Sequence, residues 1–228
     1  MTHPHDESPF NTVSPVIVAL ALVLAGIEGA FSLGARGVIG GPEAVGWRLD
    51  ALSRYAFSGE ILRWMLDTGR FPPEHLIRFV AYPFVHASFT HALFSVVLLL
   101  ALGKIVAEAL GTAATLALFV LCAIGGAMVY AAIPGVTAPL VGAYPPVYGL
   151  IGAFTYLLWV RLGQLGAQQV RAFSLIGALL FIQLVFGVLF GTTPDWIADI
   201  GGFVTGFLLT MLLIPGGWSR LMRLIRRD

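Results

Sequence analysis

LVGAYPPVYGLIGAFTYLL, residues Leu140 to Leu158, runs from a proline break straight into an apolar stretch rich in small side chains. Pro145 and Pro146 have no backbone N–H to give to a neighbour. Gly149, Gly152 and Ala153 leave a strip without bulk, against which another membrane helix can come close. Two distant segments complete this one: HASFTHALFS at 86–95 and DWIADIGGFVTG at 195–206. In the second, Gly202 and Gly206 form a Gly-x-x-x-Gly pair, the spacing that lets helix backbones approach in lipid.

The chain has 228 residues, 58% hydrophobic and only 11% charged, with a mean hydropathy of +0.89. That composition excludes a soluble globule. A spanning helix takes about 20 apolar residues, and the apolar runs predict six spans, near 13–33, 84–106, 112–133, 146–163, 171–190 and 198–215. All should be helical, because a backbone in lipid must satisfy its own hydrogen bonds. Residues 1–228 read as one membrane domain, with an N-terminal tail at 1–12 and a tail at 216–228 whose arginines alternate with leucine and isoleucine. That last tail should lie as a basic amphipathic helix on an anionic leaflet. The N-terminus lacks a basic region and a small-residue cleavage site, so the first run is expected to be a retained span. One cysteine, Cys122, excludes an internal disulfide or a cysteine-based zinc site, and a net charge of +1 gives no reason to expect a nucleic-acid partner. Lys104, Arg161, Arg171 and the tail arginines fall on one side, against Arg36, Arg48, Arg54, Arg63, Arg70 and Arg78 in the long first loop, and both termini are expected in the cytoplasm by the positive-inside rule.

Glu28 is the one charge within the first apolar run, and its place near the end of that run reads as an interfacial carboxylate. From 34 to 75 the chain leaves the membrane, yet Trp47, Leu49, Tyr55, Ile61, Trp64 and Leu66 recur among its charges. Helices lying in the interface would show that pattern, and a structural platform is expected there. In the second span His91 and Ser95 are one turn apart on a shared face. His86 stands five residues before His91, a spacing that does not share a helix face. His86, His91 and Asp199 have metal-ligand chemistry, but that spacing counts against a shared ion. No metal or cofactor is expected.

These motifs resemble the rhomboid family of intramembrane serine proteases. In that family the second span carries a His, a second His five residues on and an Asn four further, where this chain has His86, His91 and Ser95. Ile77-Arg78 stands in place of a Trp-Arg pair, and Trp47-Arg48 lies too far upstream to be it. Glu108, Leu110 and Gly111 resemble the family's Glu and Leu-Gly turn. GAYPPVYGLIGA, residues 142–153, matches the family's Gly-Ala-Ser-Gly-Ala-Ile-Phe-Gly-Leu-Leu-Gly-Ala at Gly142, Ala143, Gly149, Leu150, Gly152 and Ala153. Tyr144 stands at the nucleophilic Ser and Pro145 at the following Gly. In the last span Ala198, Gly201, Gly202, Phe203 and Gly206 match Ala-His-Leu-Gly-Gly-Phe-x-x-Gly, with Asp199 at the His.

The resemblance implies an all-α, six-span bundle with His91 and Ser95 at positions that serve the oxyanion. A phenol is a poor substitute for an activated serine. A carboxylate of ordinary pKa near 4 is a weak base for a hydroxyl. Pro145 and Pro146 withhold N–H groups where a missing oxyanion donor costs about 3–4 kcal/mol of barrier. The expected function is therefore non-catalytic binding of transmembrane segments of integral membrane proteins within the bilayer, in assembly, quality control or as an accessory subunit, as in inactive rhomboid relatives. A bacterial inner membrane is the expected location. The alternative is an intramembrane serine-type endopeptidase with atypical residues. A small-molecule carrier is disfavoured by the scarcity of polar residues and the lack of an inverted repeat. A hydrogen bond from Tyr144 to Asp199 is expected to satisfy the buried carboxylate.

Overall fold

The structure is a computed structural model that describes residues 14–191 and 193–214. The tails at 1–12 and 216–228 lie outside the described residues. Six long helices occupy the six expected runs: α1 (Pro15–Ala35), α6 (Phe89–Leu110), α7 (Thr112–Ala131), α8 (Tyr144–Gln164), α9 (Ser174–Phe190) and α10 (Trp196–Leu213). Four short helices fill the first loop, namely α2 (Trp47–Tyr55), α3 (Gly59–Thr68), α4 (Pro73–Leu76) and α5 (Arg78–Ala81), with 3-10 turns at Pro42–Gly46 and Tyr82–Phe84. No strand occurs among the described residues beyond one antiparallel bridge, Phe57 with Leu140.

Helix boundaries follow local chemistry. The second span starts at Phe89 and not at 84, because Pro83 closes a 3-10 turn and Ser88 then caps α6, its hydroxyl accepting from His91 N–H at 3.2 Å. Gly111, at φ +85°, separates α6 from α7 in a conformation that other residues resist. Ser58 caps α3 by accepting from Ile61 N–H, and Gly69 ends it in the left-handed region.

α1, α6, α7 and α10, and α9 taken with the 3-10 turn Gln169–Phe173 ahead of it, are long and apolar enough to cross a membrane. α8 is equally long but carries Tyr144, two prolines, Tyr148 and Tyr156. Its surroundings explain the difference. Every residue from Pro145 to Ala153 is buried, so α8 is the axis of the bundle and meets protein on all sides. α10 and α7 flank it closely, α6 packs on another side, and α1 lies on α6. α9 is peripheral. It rests on Leu102, Tyr148 and Ile151 through Ile176, Leu179 and Leu180, while much of its outer surface is exposed.

The α8–α10 contact is set by missing side chains. A Cβ on Gly206 would collide with the Gly149 carbonyl, one on Gly202 with the Pro145 carbonyl, and one on Gly152 with the Phe203 carbonyl. Each obstacle is backbone, which cannot rotate aside. α7 joins the same seam: a Cβ on Gly126 would stand 2.7 Å from the Ala198 carbonyl, and one on Gly149 would strike the Cys122 sulfur. Cys122 is buried packing. Overpacking at such a contact costs about 1–3 kcal/mol. Gly206→Ala and Gly152→Ala should each lose that much in denaturation titrations in mixed micelles. Gly177→Ala, at a position with nothing within 4 Å, should stay within about 0.5 kcal/mol of the parent.

Candidate functional site

The site forms where the first loop meets the entrance of α8. Leu140 and Phe57 exchange backbone hydrogen bonds at 2.8 and 3.0 Å, and Gly142 N–H donates to the Tyr82 carbonyl at 3.0 Å. Ala143 N–H donates to His86 Nε2 at 3.3 Å. The Tyr82 hydroxyl in turn reaches the Ala123 carbonyl on α7 at 2.9 Å. The segment before Tyr144 is thus fixed to the loop, to α7 and to His86. Gly142 is required twice over: its φ is +90°, and a Cβ there would lie 2.5 Å from the His91 ring.

His86 lies in the turn ahead of α6, so helix spacing does not govern it. The His86 and His91 rings meet edge to face with centroids 5.1 Å apart. Because Nε2 of His86 accepts a hydrogen bond, its neutral ring carries the proton on Nδ1. Burial, and then the neighbouring His91, push the His86 pKa down to about 4. The Tyr144 ring stacks on His91 at 4.8 Å. Ser95 turns away from this group, and its hydroxyl donates to the His91 carbonyl of its own helix at 3.0 Å.

Asp199 is 2% exposed, on the first turn of α10. The expected bond from Tyr144 is absent. Gln183 of α9 takes that role, its amide Nε2 donating to Asp199 Oδ2 at 2.8 Å, while Asp199 Oδ1 and Gln183 Oε1 have no partner among the described residues. Stacking on His91 accounts for the difference, because it holds the phenol ring against α6 and leaves Asp199 to the amide on α9.

Glu28, expected as an interfacial carboxylate, is buried against the first loop. Glu28 is 3% exposed and forms a two-pronged pair with Arg48, Nη2 to Oε1 at 2.6 Å and Nη1 to Oε2 at 2.9 Å, with Ser32 adding a third bond at 2.7 Å. Arg48 Nη1 also donates to the His86 carbonyl at 2.7 Å, and its guanidinium lies over the Phe31 ring. Arg48 therefore connects α1 to the backbone of His86, although the sequence places it well upstream of the histidines. Arg78 does its work within the loop, donating to the Ala56 and Ser53 carbonyls.

The structure thus brings His86, His91 and Tyr144 together, joins Asp199 to Gln183, and packs Gly149, Gly152, Gly202 and Gly206 in the seam below. Neither imidazole is hydrogen-bonded to a serine or threonine hydroxyl among the described residues. Three residues had no role assigned from sequence: Gln183, Arg48 and Ser32. The available signals were a lone amide in an apolar span and opposite charges on the first span and the loop. A family model described as Rhomboid domain matches residues 73–216, a range that holds both histidines, α8 and Asp199. No curated protein matches the chain.

Breaking a buried ion pair by removing one partner costs about 3–5 kcal/mol, so Arg48→Leu should destabilise the protein by that order, measured by thermal unfolding in detergent. The double variant with Glu28→Leu should recover part of the loss. The His86 pKa of about 4 lies below its ordinary 6.5. The fold therefore favours the neutral ring, and this contribution is complete above pH 6.5 and lost as pH falls towards 4. His86→Gln, which keeps an acceptor for Ala143 N–H, should flatten that part of a stability-against-pH curve.

Proposed function

The chain belongs to the rhomboid family, and on that premise we propose that it is a non-catalytic member, an integral membrane protein that binds transmembrane segments of other proteins. Such binding would serve assembly, quality control or an accessory role in a membrane complex. The observation that carries this reading is Tyr144. It stands where the family pattern has its nucleophilic serine, and its ring lies flat against His91, occupying space that a scissile carbonyl would need. Asp199 stands at the position of the family's basic histidine and is hydrogen-bonded to an amide. Pro145 supplies no N–H for an oxyanion.

What is kept is a rigid seam with a helix at its side that exposes Phe181, Leu184 and Val188. In lipid, packing and interhelical hydrogen bonds drive helix association, and a peripheral helix beside buried polar atoms provides both. Lys104, Arg161 and Arg171 on one side favour cytoplasmic termini, with a bacterial inner membrane as the proposed location.

Full-length protein in liposomes with a fluorescently labelled transmembrane substrate should release no fragment and should not react with a fluorophosphonate. Photocrosslinking from α9 in cells should capture integral membrane proteins through their spans. Cleavage that disappears in Tyr144→Phe, Asp199→Asn or His91→Ala would establish the atypical endopeptidase instead.

A further inference from the structure

Towards the far end of α8, about 18 Å along the helix from Tyr144, a cavity of about 750 Å³ opens between α8, α10 and the 3-10 turn Gln169–Phe173. Its wall is largely aromatic. The Tyr156 ring meets Phe207 edge to face at 5.1 Å and lies 5.9 Å from Trp159, while Phe207 lies 5.8 Å from Phe173. Met211 of α10 extends this wall. Gln169 holds the turn in place, its amide Nε2 donating to the Trp159 carbonyl at 3.0 Å beside Gly163, where a Cβ would press on that amide. The volume is that of a site for a small ligand.

Chemistry and charge say what fills it. The lining is mostly apolar, and Trp159 and Phe173 are each 37% exposed, so in a bilayer the hollow meets lipid, and an acyl chain suits it better than water. Tyrosine and tryptophan near the end of a spanning helix sit at headgroup depth, which places Tyr156 and Trp159 where chain gives way to phosphate. The charge at this level is positive and unopposed. Arg161 is two residues from the lining Trp159 and Gly163, and Arg171 is two from Gln169 and Phe173. Both arginines are exposed, and neither pairs with a carboxylate among the described residues. No Asp or Glu occurs between Glu108 and Asp195. The end of α8 contributes about half a negative charge, which two full positive charges outweigh.

We propose that this cavity is a binding site for one anionic diacyl phospholipid, with its phosphate between Arg161 and Arg171 and one acyl chain against Tyr156, Phe207 and Met211. Basic pockets between spanning helices recognise anionic headgroups in this way, and Gln164, which also lines the cavity, supplies a further donor. The site is separate from Tyr144, His91 and Asp199, which lie near the other end of α8, and does not depend on whether the chain binds transmembrane segments. Bound there, the lipid touches α8, α10 and the turn together and stabilises their arrangement by mass action.

The test titrates full-length protein in dodecyl maltoside with dioleoyl phosphatidylglycerol or dioleoyl phosphatidylcholine, counting retained lipid by native mass spectrometry and following the thermal midpoint. Phosphatidylglycerol should stay bound as a single molecule and raise the midpoint. Phosphatidylcholine, with the same chains and no net charge, should be retained about tenfold less. Each arginine near an anionic group is worth about fivefold, so Arg161→Gln with Arg171→Gln should weaken phosphatidylglycerol retention about tenfold to thirtyfold. Arg36→Gln with Arg70→Gln, exposed positions of the first loop, should leave it unchanged. Met211→Trp, which fills the cavity and keeps both arginines, should expel the lipid. Retention of neither lipid or of both equally, parent-like retention in the Arg161 and Arg171 double variant or in Met211→Trp, or an equal loss in the first-loop variant would each overturn the inference. Should Met211→Trp not fold, the exposed arginine positions decide the matter alone.

Discussion

The contact between α8 and α10 is a contact between backbones. Gly149, Gly152, Gly202 and Gly206 bring main-chain carbonyls of one helix to the Cα atoms of the other. The hydrophobic effect cannot hold two helices together inside lipid, because acyl chains are as apolar as leucine. Close packing has to do it. Everything else in the bundle follows from that constraint: α7 joins the seam through Gly126 and Cys122, α6 closes α8 from another side, and α9 is left at the margin.

The fold was legible in the residues because membrane helices announce themselves by length and because small residues at fixed spacing imply close approach. The site was only partly legible. Tyr144 and Asp199 could be located by their neighbours, but not their partners. A stacked ring and a helix-to-helix amide bond depend on relative rotations of α6, α8, α9 and α10 that no local pattern encodes. The sequence offers Tyr144 as the donor to Asp199, and the structure supplies Gln183 of α9.

The first loop shows the limit more clearly. Its alternation of charged and apolar residues suggested a platform, and Phe57, Leu62 and Met65 do form a buried cluster against α7. Arg48 looked remote because sequence distance was the only measure available. In space it crosses from Glu28 to the carbonyl of His86, and that carbonyl belongs to the residue whose ring receives Ala143 N–H. A charge on α1 is thereby connected to the entrance of α8 through one arginine and one histidine. Such long-range polar links escape sequence reading, since each end taken alone looks like an ordinary interfacial charge.

The glycine seam also sets an order of events during synthesis. Domains and their parts form in the order in which they leave the ribosome, at about 5–20 residues per second, and α8 is complete before any of α10 exists. Throughout the synthesis of α9 the part of α8 that α10 will cover lacks its partner, while α7 already packs on Gly149 through Cys122. A chain stopped before Trp196 would retain that open face permanently. α10 is thus the element that completes the covering of the axis.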